Sequence, residues 1–128
     1  MEKSLILKEM FLNEFGLEEQ DLRTYSPLTL AYMGDAIFEL VVRTVLVERK
    51  NTQAEKLHKA ATKIVKAETQ ALLIEAVKDD LTEEELAVYK RGRNAKAVTR
   101  AKNATMSEYR RATGFEALMG YLYLKGDM

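Results

Sequence analysis

The residues best placed to do chemistry are three carboxylates on two otherwise apolar segments: Asp35 and Glu39 in the stretch Pro27 to Val42, and Glu116 in the stretch Ala112 to Leu124. An ionised carboxylate on an apolar helix is costly unless something compensates it. Asp35 and Glu39 stand four apart, so on a helix they share a face and repel each other mildly unless a cation lies between or beside them. Gly34, Gly114 and Gly120 flank the acidic positions, and small residues there would let the two segments approach closely enough for Asp35 and Glu116 to meet. Oxygen ligands from one or two carboxylates, completed by water and phosphate oxygens, are what Mg²⁺ prefers. A structural ion pair with Arg43, Arg110 or Arg111 is the simpler account of the same acids, because such networks perturb carboxylates as readily as active sites do.

The second chemical feature is a change in the sign of charge. Lys plus Arg and Asp plus Glu both number 20, so the chain is formally neutral, yet the charges are segregated. Met1 to Asp21 holds six acids and two lysines, and Asp79 to Glu85 holds five acids and no base. Between Leu86 and Ser107 the only charged residues are Lys90, Arg91, Arg93, Lys96, Arg100 and Lys102, with Arg110 and Arg111 just beyond. A polyanion feels such a patch locally, within a Debye length of ~8 Å at physiological salt. The run is therefore either a phosphate-gripping surface or a solvated face.

Other chemistries are poorly supplied. There is no Cys, which removes disulfides, thiol nucleophiles and Cys-bound zinc, and fits a reducing compartment. The single His, His58, sits between Lys56 and Lys59 in a polar stretch and reads as a surface or half-buried residue rather than a ligand. No Gly-rich phosphate loop is present, so no nucleotide cofactor is expected. The longest run without a charged side chain, Thr24 to Gly34, falls far short of the ~20 apolar residues of a membrane span. The charged N-terminus does not read as a secretory signal, and the expected compartment is the cytoplasm.

The elements that must position these residues are announced by caps. Ser26 before Pro27 marks a helix start, with Ser as N-cap and Pro at the first helical position. Thr52 with Glu55, Thr82 with Glu85 and Thr105 with Glu108 each have capping-box spacing. An N-terminal helix over Ser4 to Phe15, ending near Gly16, makes five. Without hairpin turns or alternating β-branched runs, the fold class is all-α. The 128 residues suit a single domain over residues 1–128. Apolar residues surround the helix beginning at Pro27, which predicts a central buried element, and the last helix behaves alike. The polar, basic stretch Asn94 to Ala104 is expected to be a loop.

The segments Leu30-Ala31-Tyr32-Met33-Gly34-Asp35-Ala36-Ile37-Phe38-Glu39-Leu40 and Phe115-Glu116-Ala117-Leu118-Met119-Gly120-Tyr121-Leu122-Tyr123-Leu124 resemble the two acidic motifs of the ribonuclease III catalytic domain. Leu57 to Thr62 and Arg91-Gly92-Arg93-Asn94-Ala95-Lys96 make the chain similar to the short bacterial branch, Mini-ribonuclease III, over about residues 26–124. The resemblance implies that Asp35 and Glu116 are catalytic and ligate Mg²⁺, and that Glu39 is structural or supports the site from one layer out. It departs from ribonuclease III proper at Leu28, Ala31 and Thr113, where that enzyme has acids, as the short branch also does. The implied reaction is hydrolysis of double-stranded RNA to 5′-phosphate ends, in maturation of precursor 23S ribosomal RNA. The implied assembly is a homodimer with Tyr32 at its interface, with Arg91, Arg93, Asn94, Lys96, Arg100 and Lys102 contacting RNA. The alternatives are a non-catalytic ribonuclease III-like RNA-binding or ribosome-associated protein, and a helical interaction module without RNA.

Overall fold

The computed structural model describes residues 2–95 and 105–126, with side chains from Leu7 onward. Six α-helices follow one another: α1 (Glu2–Glu14), α2 (Pro27–Arg49), α3 (Ala54–Ile64), α4 (Ala67–Val77), α5 (Glu83–Asn94) and α6 (Met106–Lys125). Among the described residues there is no strand, and the all-α expectation holds.

Most of the helix starts are those written in the sequence. Ser26 accepts a hydrogen bond from the Thr29 backbone N–H, with Pro27 in the first turn of α2. The Thr82–Glu85 and Thr105–Glu108 boxes are closed in both directions, so each satisfies two backbone donors left over at a helix N-terminus. The Thr52–Glu55 box does not form. Gln53 occupies the cap of α3, which puts Glu55 in the second helical position, and its carboxylate instead faces Lys59 at 3.7 Å.

The sixth helix comes from a break that no Gly or Pro marks. Val65 ends α3 and Lys66 turns to an extended conformation (φ −62°, ψ 150°) before α4 begins. The Val65 carbonyl, freed by that turn, accepts a hydrogen bond from the side-chain Nε2 of Gln70 at 3.0 Å.

The core is organised by α6. Phe38, Val42, Ala61, Ile74, Tyr89, Phe115 and Leu118 form one buried cluster, with Phe38 edge-on to Phe115 at 5.2 Å between ring centroids. Leu30, Ala31, Val88, Ala117 and Tyr121 form a second, on the other side of α6. Two backbone crossings hold these clusters. An added Cβ on Gly34 of α2 would lie 1.6 Å from the Glu116 carbonyl oxygen, and one on Gly120 would lie 2.0 Å from the Leu30 carbonyl oxygen. An added Cβ on Gly92 of α5 would lie 2.9 Å from the Gly114 Cα. Glycine is required at these points by proximity rather than by its torsion angles.

Helix α2 is not buried all round. Leu30, Ala31, Gly34, Ile37, Phe38 and Val42 face the core, whereas Leu28, Tyr32, Leu40, Val41, Val45 and Val47 are exposed. The single chain has one layer of helices against α2, so only one of its two apolar faces is covered.

Candidate active site

Asp35 and Glu116 are brought together by the glycine crossing. Gly34 touches the backbone of Glu116 itself, so the residue after Gly34 on α2 and the contacted residue on α6 become neighbours. Asp35 is exposed, while Glu116 is half-buried. Burial is the main reason that the Glu116 carboxyl is pushed up from 4.5 to about 8, and the adjacent Asp35 carboxylate raises it further by repulsion and hydrogen bonding. The Gln70 side-chain amide beside it acts in the opposite direction and lowers it.

No salt bridge reaches either acid among the described residues. Arg43 is hydrogen-bonded to Glu39 on the same helix, and Arg111 lies 3.5 Å from Glu75. The ion-pair account of the acids therefore applies to Glu39, and Glu39 has its carboxylate engaged one turn along α2 from Asp35. Asp35 and Glu116 are left as an uncompensated pair of carboxylates, one open to water.

The positions at which the sequence departs from ribonuclease III proper are no substitute for further acids. Ala31 is buried against α6, Leu28 is on the exposed face of α2, and the Thr113 hydroxyl donates to the Tyr109 carbonyl of its own helix at 3.0 Å. Among the described residues no group of three or more acidic or His side chains could share an ion. Two carboxylates with room for water remain a fitting donor set for Mg²⁺, which usually keeps several of its own waters.

Glu116 also borders a cavity of about 140 Å³ with Gln70, Tyr109 and Thr113 in its wall. Gln70 and Tyr109 are members of this group that the sequence does not reveal, and Gln70 is the one that comes from another helix than Glu116. It stands in a run of ordinary helical residues, and only the α3–α4 break brings α4 alongside Glu116.

One polar residue is placed differently from expectation: Arg91 and Arg93 lie on the last turn of α5, and so does Asn94, the expected first residue of the loop, because α5 continues through it. Arg91 is exposed, whereas Arg93 is half-buried, with its guanidinium 5.7 Å from the centre of the Tyr89 ring. Arg93, Lys78, Arg110 and Arg111 surround a cavity of about 410 Å³ in which Glu75 is the acidic member. Lys96, Arg100 and Lys102 lie outside the described residues. Tyr32 stands one turn before Asp35 and is 82% exposed. His58 is exposed, on the rim of an apolar recess between α2 and α3.

Residues 28–127 match the ribonuclease III domain, and the chain belongs to the ribonuclease III family. Within that family it is similar to proteins called Mini-ribonuclease 3. That of Clostridium tetani is 47% identical over 94% of this chain and 80% of the relative, and that of Thermoanaerobacter is 44% identical over 99% and 88%. That of Enterococcus faecalis is 51% identical over 82% and 81%. A crystal structure of a Fusobacterium nucleatum protein superposes with a TM-score of 0.76 at 36% identity, covering 84% of this chain and 85% of the other.

Proposed function

We propose that this protein is a Mg²⁺-dependent endoribonuclease that cleaves double-stranded RNA as a homodimer, and that its substrate is precursor 23S ribosomal RNA. The observation that carries the proposal is the Asp35–Glu116 pair: two carboxylates set side by side with no salt bridge to either among the described residues. Without an ion, burial and the neighbouring charge keep a proton on Glu116, and the oxygens that proton occupies are hard ligands of the kind Mg²⁺ takes. Membership of a family that acts on RNA with divalent metals, and the name Mini-ribonuclease 3 borne by its relatives, support the same assignment.

When bound, Mg²⁺ would supply a Lewis acid for the scissile phosphate and a water acidic enough to attack it. The residues of the chain do the rest. Asp35, on the open face of α2, meets the solvent side from which a phosphate must arrive. Glu116, held at depth by α6, fixes the inner side of the site. Arg91 offers charge to neighbouring phosphates, and Asn94 offers an amide to a base edge or 2′-hydroxyl. Glu39, occupied by Arg43, keeps a second negative charge near Asp35 without entering the ligand set.

The exposed apolar stripe of α2 supports the dimer. Leu28, Tyr32, Leu40 and Val47 recur near helical spacing on one side of α2, a surface suited to a second copy of the same helix across a two-fold axis. Two copies would carry two sites, one for each strand of a duplex. Incubating the protein with a perfect RNA duplex, with and without Mg²⁺, tests the assignment. Mg²⁺-dependent double cuts leaving 5′-phosphates are expected, and binding without cleavage would identify the non-catalytic alternative.

A further inference from the structure

Gln70 is buried, with 2% of its surface exposed, in the first half of α4. Its Nε2 donates to the Val65 carbonyl at 3.0 Å, which fixes which end of the amide is nitrogen. The same side chain shares the wall of the cavity beside α6 with Glu116, and its amide works against the burial that raises the Glu116 carboxyl. Its Oε1 is buried without a hydrogen-bond partner in the structure. An orphaned buried acceptor is a desolvation cost that Met or Leu would avoid at similar volume. A side chain that bears this cost is retained for what its nitrogen does.

We propose that Gln70 is a positioning residue for the carboxylate pair: anchored by Nε2 on the Val65 carbonyl, its amide stands beside Glu116 in the wall of their shared cavity and steadies that carboxylate next to Asp35. The inference rests on the metal-site assignment made above and extends it to a third helix. The choice of an amide has a chemical reason. A Lys or Arg at this position would form a salt bridge with Glu116 and compete with a bound cation, whereas an amide supplies direction with no net charge. The Val65 anchor ties that direction to the α3–α4 corner, so the break in the helix and the orientation of the glutamate become one feature.

Gln70→Met removes the donors at nearly constant volume. The test is titration of Mn²⁺ into RNA-free protein, following free Mn²⁺ by its paramagnetic resonance signal, for wild type, Gln70→Met, Glu116→Gln and the double variant. Gln70→Met is expected to weaken Mn²⁺ binding about tenfold, the lower end of what loss of a supporting partner typically does. It should raise the Mg²⁺ concentration for half-maximal cleavage with the KM for RNA unchanged. In the Glu116→Gln background the same substitution should have no further effect on Mn²⁺ binding. If Gln70→Met binds Mn²⁺ as wild type does while Glu116→Gln binds it weakly, the positioning role is wrong and Gln70 only closes the α3–α4 corner. If Glu116→Gln also binds Mn²⁺ as wild type does, the metal site itself is misassigned. Should Gln70→Met not fold, the Gln70 side-chain amide protons of the wild-type protein decide the matter by NMR. Slow exchange and a shift on adding Mg²⁺ support the role, and free exchange with no shift overturns it.

Discussion

Helices α2 and α6 are nearly matched in chemistry, each a long apolar segment carrying few acids, and they end in opposite situations. From Ala112 to Leu124 no residue of α6 is exposed, because α2, α4 and α5 cover it from different sides. Helix α2 buries one face on α6 and leaves an apolar face open that runs from Leu28 to Val47. The difference teaches why the two acids behave unlike each other. Glu116 inherits the desolvation of α6, and Asp35 inherits the open water beside the uncovered face of α2. It also places the exposed carboxylate one turn from Tyr32, so the proposed catalytic site and the proposed dimer surface are neighbours.

The comparison depends on the crossing, and breaking the crossing is expected to have the largest effect. Gly34→Ala puts a methyl group where the Glu116 carbonyl stands, and the helices must separate. A loss of about 3 kcal/mol or more is expected in urea unfolding, at the upper end of overpacking costs. Wild-type stability from this variant would contradict the close approach. Next comes the open face of α2. Tyr32→Asp is expected to convert the dimer to monomers by burying an unpaired charge twice, once per subunit, as followed by light scattering. An unchanged dimer would remove Tyr32 from the interface.

A smaller effect is expected from pH, through Glu116. Its carboxyl is raised in the folded protein, so the folded state holds the proton more tightly than the unfolded state does. The associated stability is fully present below the ordinary value of 4.5 and is lost as pH rises through about 8. In metal-free buffer, wild type should therefore lose urea resistance relative to Glu116→Gln between pH 5 and 9, and Mg²⁺ should restore it at the high end. Parallel stability profiles for the two proteins would show that Glu116 is not desolvated. The smallest change sharpens the role of α5. Replacing Arg91 and Arg93 by Gln should weaken duplex RNA binding on many sequences and flatten the plot of log K against log salt by about 0.7–0.9 for each lost phosphate contact. Because Arg93 also rests over Tyr89, a melting curve must accompany the binding data. An unaltered slope would place the RNA surface elsewhere.

Much of this was legible in the residues, and the failures have physical causes. Ser26-Pro27 and two of the three Thr–Glu boxes are local devices, satisfied within one turn, so the sequence alone determines them. The third box failed because Thr52 lies one residue outside the cap that α3 uses. The Val65–Lys66 break is invisible because it is closed by a side-chain bond from Gln70, five residues on, rather than marked by Gly or Pro. Apolar residues all round α2 looked like burial within one chain, but periodicity cannot say whether the second face is covered by the same chain or by a copy. The acids themselves could be named, and Gly34 and Gly120 hinted at their meeting. What could not be read is that Arg43 and Arg111 are taken by Glu39 and Glu75, leaving Asp35 and Glu116 without a salt bridge among the described residues.

That last fact makes one measurement decisive for the metal-site assignment. Single-turnover cleavage of a perfect RNA duplex should be compared for wild type, Asp35→Asn and Glu116→Gln over a range of Mg²⁺ concentrations, with a melting curve for each. Both substitutions keep side-chain volume and remove an anionic oxygen ligand, so each should cost several kcal/mol of charge stabilisation, about a thousandfold or more in rate. Since neither acid is salt-bridged among the described residues, both variants should remain folded, whereas breaking a buried ion pair would cost about 3–5 kcal/mol of stability. Folded variants without cleavage are the result expected. Wild-type turnover from either one, at any Mg²⁺ concentration, would contradict the account.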